Sequence, residues 1–149
     1  MIRLFIDPGS KSMGWAIFEG KELVQSGTVK CKGSDSIDKR LYAMAKSLKK
    51  SLEDWDKFDE INVERLNSRT HHFALWSVGM IASVVGNKTE KFREHPSPAQ
   101  WKKPIGLKFN DKGEAVRLVF EKLYPGIVTE SDDEMEAILM GHIESNFGG

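Results

Sequence analysis

The sequence predicts an α/β domain, a mixed five-stranded sheet flanked by helices, with the whole chain, 1–149, as one unit. Two observations carry that expectation. The elements read in the order β-β-β-α-β-α-β-α-α, one of few short layouts in which the first and fourth strands can lie side by side at the sheet centre. One helix, "HHFALWSVGMIASVVG", is apolar nearly all round, so it must be covered on more than one face. At 149 residues the chain is long enough to bury a core of its own.

The elements follow from local patterns. "RLFIDPGS" is a buried strand that ends in a turn, and "MGWAIFE" and "KELVQSGTVKCK" continue it as a meander through the turn at Gly20-Lys21. Ser34-Asp35-Ser36 is an N-cap region for a long helix, "IDKRLYAMAKSLKKSLEDW". Its apolar residues Ile37, Leu41, Met44, Ala45, Leu48, Leu52 and Trp55 recur at spacings of three and four. "DEINVERLNS" is a strand with Ile61 and Val63 on one face, which puts Glu64 on the other face or at the strand's end. After the apolar helix, "KFREHPSP" is a short strand cut off by two prolines. "KGEAVRLVFEKLYPG" is an amphipathic helix stopped by Pro125-Gly126. "SDDEMEAILMGHIES" is a helix starting at Ser131, with its acids in the first turn where the macrodipole favours them.

Composition narrows the function classes. Hydrophobic residues are 40% and charged residues 30%, ordinary for a globular protein. No apolar run approaches a membrane span, so no membrane association is expected. Met1-Ile2-Arg3 leads directly into a strand, which argues against a secretory signal. Cys31 is the single cysteine, excluding an internal disulfide and a cysteine-based zinc site; a reducing cytoplasm is the expected setting. The formal net charge of zero conceals segregation: residues 1–52 hold 10 Lys/Arg and 5 Asp/Glu, residues 53–64 hold 1 and 6, residues 65–117 hold 10 and 4, and residues 118–149 hold 1 and 7. A basic face beside a compact acidic spot is compatible with that alternation, although charge runs are usually solvated faces.

The acids carry the chemical argument. Asp7 ends the first strand, Glu64 the fourth, and Asp132, Asp133 and Glu136 occupy the start of the last helix. Residues three or four apart share a helix face, so either Asp133 or Asp132 can point with Glu136 at one spot. Met135, Ile138, Leu139 and Ile143 give that helix an apolar side for docking on the sheet. If the helix start meets the strand ends, four carboxylates converge, which is unfavourable unless cations occupy the site. Hard divalent ions such as Mg²⁺ take oxygen ligands of this kind, and two of them about 4 Å apart can clamp the oxygens of a phosphodiester displacement. Each acid alone has a plainer reading: Asp7 before Pro8-Gly9 as a turn former, Glu64 as an exposed strand end, the others as helix-start acids. Their joint placement is what those readings leave unexplained. Asp7-x-Gly9-Ser10 also suits a nucleotide-binding module of the actin and sugar-kinase type, but that fold needs a second domain and a second glycine-rich loop, and neither is present in this sequence.

"FIDPGSKSMGWAIF", "INVERLNS" and "SDDEMEAILMGHI" resemble the three acidic motifs of RuvC-like Holliday junction resolvases, within the RNase H-like superfamily. The resemblance spans nearly the whole chain in element order and looks most like a compact, bacteriophage-type member. It implies an RNase H-like fold and a Mg²⁺-dependent endonuclease that nicks four-way or branched DNA in symmetric pairs, leaving 5′-phosphate and 3′-hydroxyl ends. It implies two Mg²⁺ ions, with Mn²⁺ able to substitute, on Asp7, Glu64, Asp133 and Glu136, with Asp132 as the alternative to Asp133. "PSPAQWKKPIG" resembles the family segment that presents a lysine to the scissile region, which gives Lys102 a catalytic place and Lys112 that of a second basic residue. Ser10, Lys11, Arg69, Lys102, Lys103 and Lys112 are the implied DNA contacts. Family members pair as two-fold dimers, which makes the helix from Phe73 to Val85 the expected homodimer interface, in a bacterial or phage-infected host cytoplasm. Two positions depart from the pattern: Glu136 stands where the family often has Asp, and Asn67 where an aromatic helps to unstack the junction, leaving Phe73 or Trp76 as substitutes. Related nucleases of the superfamily act on other branched DNA or on structured and ribosomal RNA, and a non-cleaving DNA-binding relative typically loses acids that are all present here.

Overall fold

The computed structural model describes all residues except 10, 34, 65–70, 86–87, 95–97, 109 and 148–149. Strands β1 (Ile2–Asp7), β2 (Ser12–Glu19), β3 (Glu22–Lys30), β4 (Glu60–Val63) and β5 (Phe92–Glu94) form one sheet in the order β3-β2-β1-β4-β5. The pairs β1–β2 and β2–β3 are antiparallel, while β1–β4 and β4–β5 are parallel. β1 and β4 are therefore neighbours at the centre, as the element order predicts.

Side-chain alternation along each strand divides the core in two. Leu4, Ile6, Ile61 and Val63 face one way, against Leu41, Met44 and Leu48 of α1 (Ile37–Ser51) and Ile81 and Val85 of α2 (His71–Val85). Phe5, Ala16 and Phe18 face the other way. There they meet Trp101 of α3 (Pro98–Lys102), Val116 and Phe120 of α4 (Glu114–Leu123), and Met135, Ala137, Ile138 and Leu139 of α5 (Asp132–Asn146). The same alternation places Asp7 on Phe5's side of β1, facing α5.

α5 approaches the sheet unusually closely because two glycines leave room for it. A β-carbon on Gly14 would fall 2.0 Å from the Asp133 carbonyl carbon and 2.2 Å from the Glu134 nitrogen, and one on Gly141 would fall 2.3 Å from the Phe18 ring. The Gly14 contacts are to backbone, which has no rotamer to move. Gly14→Ala is expected to destabilise the protein by about 3 kcal/mol, the upper part of the range for overpacking, measured as a lowered urea midpoint. A loss smaller than about 1 kcal/mol would show that α5 docks more loosely than this.

Two elements differ from the sequence expectation. α1 ends at Ser51, with Leu52 as C-cap, rather than running to Trp55. Lys49 and Lys50 suit the C-terminal end of the helix dipole, whereas Glu53 and Asp54 would oppose it. Trp55 instead stacks on Phe58, ring centroids 5.8 Å apart, and its indole N–H donates to Gln25 Oε1 at 3.0 Å. The second difference is α3 itself, which the two prolines hide in the sequence; Pro98 at the first helical position is compatible with a helix because its missing N–H has no partner to lose there. A 3₁₀ turn, Lys103–Ile105, follows and closes at Gly106 in the left-handed region, φ 80°. α2 forms over the expected segment, with Ser77, Ile81 and Val85 buried in this chain and Gly79 and Ser83 exposed. Among the described residues no helix is long and apolar enough to cross a membrane.

Candidate metal centre

Parallel pairing sets the C-terminal ends of β1 and β4 level. Ile6 pairs with Val63, and the Glu64 N–H donates to the Ile6 carbonyl at 3.0 Å. Asp7 and Glu64 thus leave the sheet side by side, with Asp7 4% and Glu64 8% exposed. The third contribution comes from α5, whose N-cap is Ser131. Ser131 Oγ accepts from the Glu134 N–H at 3.1 Å and meets Thr28 Oγ1 at 2.8 Å. Glu134 is itself buried, accepting from Ser26 Oγ at 2.7 Å, Thr28 Oγ1 at 3.0 Å and the Glu130 N–H at 3.0 Å. A helix-start acid by sequence, Glu134 is in fact the bolt between α5 and β3, which carries the acceptors' partners at alternate positions Ser26 and Thr28.

So anchored, α5 turns Asp133 and Glu136 towards the strand ends. One carboxylate oxygen from each of Asp7, Asp133 and Glu136 lies within 4.8 Å of the others. Asp133 Oδ2 accepts from Ser12 Oγ. Asp132 faces away: it is exposed, 3.7 Å from the Arg117 guanidinium on α4. Of the two, Asp133, the expected residue, meets Asp7 and Glu136, and the alternative Asp132 does not, because the 100° step between adjacent helical residues sends one to the sheet and the other to solvent.

Lys102 enters from α3 and is only 3% exposed. Its ammonium donates to the Asp111 carbonyl at 2.8 Å, lies 3.7 Å from Glu136 Oε1, and stands 5.2 Å from the centre of the Trp101 ring. The Trp101 indole N–H donates to Glu64 Oε2. Lys11, Lys103 and Lys112 are exposed. Ser10, Arg69 and Asn67 lie outside the described residues, as do the side chains of Phe73 and Trp76. The sequence gives no sign of Trp101, Ser12 or Glu134 as participants. Trp101 stands beside Lys102 and Ser12 is five residues after Asp7, but neither spacing signals a contact that only chain crossings create.

Burial and like charge dominate the electrostatics. Burial, then the neighbouring Glu64 and Glu136 carboxylates, push the Asp7 carboxyl well above its ordinary value. Burial also raises Glu64, against the opposing pull of the Trp101 hydrogen bond, and raises Asp133 against that of Ser12. Asp7 Oδ2 is buried without a hydrogen-bond donor among the described residues. An orphaned, buried carboxylate oxygen facing two more carboxylates fits a divalent cation, since the single Lys102 ammonium beside Glu136 offsets only part of the negative charge.

No protein-family model matches this sequence, and no curated protein does. Solved structures do match. Thermus thermophilus RuvC shares 16% identity over 97% of this chain and 93% of its own, with a TM-score of 0.71. T. thermophilus RuvC in complex with a Holliday junction substrate shares 14% over 97% and 92%, with a TM-score of 0.72. The yeast mitochondrial Holliday junction resolvase Ydc2 shares 14% over 96% and 79%, with a TM-score of 0.58. Over nearly its whole length this chain is RuvC-like in fold.

Proposed function

We propose that this chain is a metal-dependent, structure-selective DNA endonuclease that resolves four-way junctions by paired symmetric nicks. The observation that carries the proposal is the convergence of Asp7, Asp133 and Glu136 within 4.8 Å, beside Glu64, in a chain with the fold of RuvC. In superfamily terms the fold is RNase H-like. The four acids would hold two Mg²⁺ ions, or Mn²⁺ in their place. Bound there, hard divalent ions supply Lewis-acid neutralisation of phosphate oxygens and make a water nucleophilic near neutral pH.

The protein's own residues prepare that chemistry. β1, β4 and α5 fix the acids on three rigid elements, so little reorganisation remains for the reaction itself. Lys102, buried next to Glu136, places a fixed positive charge among the carboxylates and is the protein's cation for the charge that develops on the phosphate. Lys103, Lys112 and Lys11 are exposed and available to backbone phosphates; Ser10 and Arg69 complete the proposed DNA contacts. The products are a 5′-phosphate and a 3′-hydroxyl. Two copies pair through α2, Phe73 to Val85, so that a two-fold assembly meets the approximate two-fold symmetry of the junction. The protein works in the cytoplasm, of a bacterium or a phage-infected host.

The test is cleavage of a labelled four-way junction beside linear duplex, flap and structured RNA of equal length, each with Mg²⁺ and with EDTA. Paired nicks on the junction, absent with EDTA, are the expected result. Metal-dependent cutting of flaps or RNA in preference to junctions would overturn the substrate and keep the chemistry. Junction binding without cleavage of any substrate would overturn the catalytic reading and leave a DNA-binding relative.

A further inference from the structure

Glu64 is the acid whose donor is fully buried; Asp133 Oδ2 also has a donor, Ser12 Oγ, but that residue is only partly buried. Asp7, Asp133 and Glu136 each bring one oxygen within 4.8 Å of the others, whereas Glu64 Oε2 is engaged by the Trp101 indole N–H. Indole nitrogen is a donor only and has a single proton, and Trp101 is fully buried, 0% exposed, so that proton has no water to turn to. A buried donor aimed at a buried carboxylate is an expensive arrangement to break, since both groups are then left unsatisfied. The face of the same ring carries the Lys102 ammonium at 5.2 Å, and Lys102 reaches Glu136 at 3.7 Å. One indole therefore touches two of the proposed site residues at once, through its edge and through its face.

We infer that Trp101 is a positioning residue for the metal centre: its N–H occupies Glu64 Oε2 and leaves Glu64 to offer a divalent cation a single oxygen, Oε1, in a fixed direction. A free carboxylate can bind through one oxygen or both; a hydrogen bond to one oxygen fixes the choice and the orientation, as outer-shell donors do at metal sites generally. α3 thereby has a purpose beyond delivering Lys102. It supplies the orienting donor for an acid that belongs to a different element, β4. The inference rests on the metal reading above, and its test reads metal affinity directly rather than cleavage.

Mn²⁺ binding by the full-length protein, followed by the loss of the free-ion paramagnetic resonance signal, is measured for wild type and for two variants. Trp101→Phe keeps an aromatic ring for packing and for Lys102. Trp101→benzothienylalanine keeps the indole's shape and replaces N–H by sulfur, so it removes the donor alone. Both are expected to weaken Mn²⁺ binding about tenfold, the lower end of the effect of losing an outer-shell partner, and also to lower the melting temperature in EDTA, because Glu64 Oε2 loses its donor. A structural role alone would lower the melting temperature and leave the Mn²⁺ affinity unchanged. The Glu64→Ala background separates the two further: the tenfold effect disappears there if Trp101 acts through Glu64. Unchanged affinity in the isostere, or an equal loss with and without Glu64, overturns the inference. Wild-type protein that takes up no Mn²⁺ overturns the metal reading itself, and the inference falls with it.

Discussion

Asp7→Asn protein is expected to bind a four-way junction as wild type would but to nick it on the order of 10³-fold more slowly, about 4 kcal/mol of barrier. Asp7 is the acid for which the largest loss is expected, because it is the most enclosed of the four and stands between Glu64 on the sheet and Asp133 and Glu136 on α5. Asparagine preserves the shape. It replaces one charged oxygen by a neutral one and the other by an amide donor, which a cation cannot use. Junction binding depends on phosphates and cations elsewhere on the surface, and removing one negative charge from a DNA-facing site opposes it in no way. The same substitution is expected to raise the melting temperature in EDTA, because it relieves repulsion among buried carboxylates and gives them a donor. One change thus acts with opposite signs on stability and on cleavage, the trade-off expected where a site is built for a ligand. Single-turnover cleavage and a melting curve read the two arms. Near-wild-type nicking by Asp7→Asn would remove Asp7 from the centre of the mechanism; a fall in both nicking and melting temperature would point to a structural role instead.

Metal-free protein is expected to be least stable at the upper end of the physiological pH range, and added Mg²⁺ or Mn²⁺ is expected to reverse this. Asp7, Glu64 and Asp133 all have carboxyl pKa values raised, by burial first and in Asp7 also by Glu64 and Glu136. A group whose folded pKa lies above its unfolded value contributes stability that is full below the unfolded pKa, about 4 for carboxylates, and is lost as pH rises through the folded one. These three therefore favour the fold while protonated and weaken it as they ionise upward from the ordinary carboxylate range. The sign is opposite to that of a salt-bridged acid. A divalent ion inverts it, because it binds the ionised forms and displaces their protons. At a concentration about 100 times its dissociation constant the ion stabilises by about 2.7 kcal/mol, which in a domain of this size is a melting-temperature rise of roughly 5–10 °C. The rise is expected to be larger at pH 8 than at pH 5.5. Thermal melts with EDTA and with each ion at both pH values measure it. An ion-induced shift absent at both, or larger at the lower pH, would contradict a carboxylate metal centre.

Much of this was legible in the sequence because it is local. The strand ending in Asp7, the alternation that turns Ile61 and Val63 one way and the acids the other, and the capped start of α5 at Ser131 are all readable within a few neighbours. The choice between Asp132 and Asp133 was not. Both lie in the first turn of the helix, and only the way α5 rolls onto the sheet, closely enough to need Gly14, separates the exposed one from the one beside Asp7. α3 was hidden by its prolines, and with it the partnership of Trp101 and Glu64, 37 residues apart. Glu134 reads as one more surface acid, yet two of its three donors, Ser26 and Thr28, lie more than 100 residues earlier on β3.

Sequence by itself determined the order of the elements and the acids at two strand ends and one helix start, since period and capping are properties of short segments, whereas Lys102 stood out only through the resemblance of its segment to that of RuvC-like resolvases. Tertiary structure alone decided which acids meet, that Trp101 and Ser12 hydrogen-bond Glu64 and Asp133, and that Lys102 is buried among the acids rather than solvated. The physical reason is range. Helix and strand preferences are settled within a turn or two of chain, whereas the field inside a site is set by charges and donors that packing brings together from distant segments and encloses away from water.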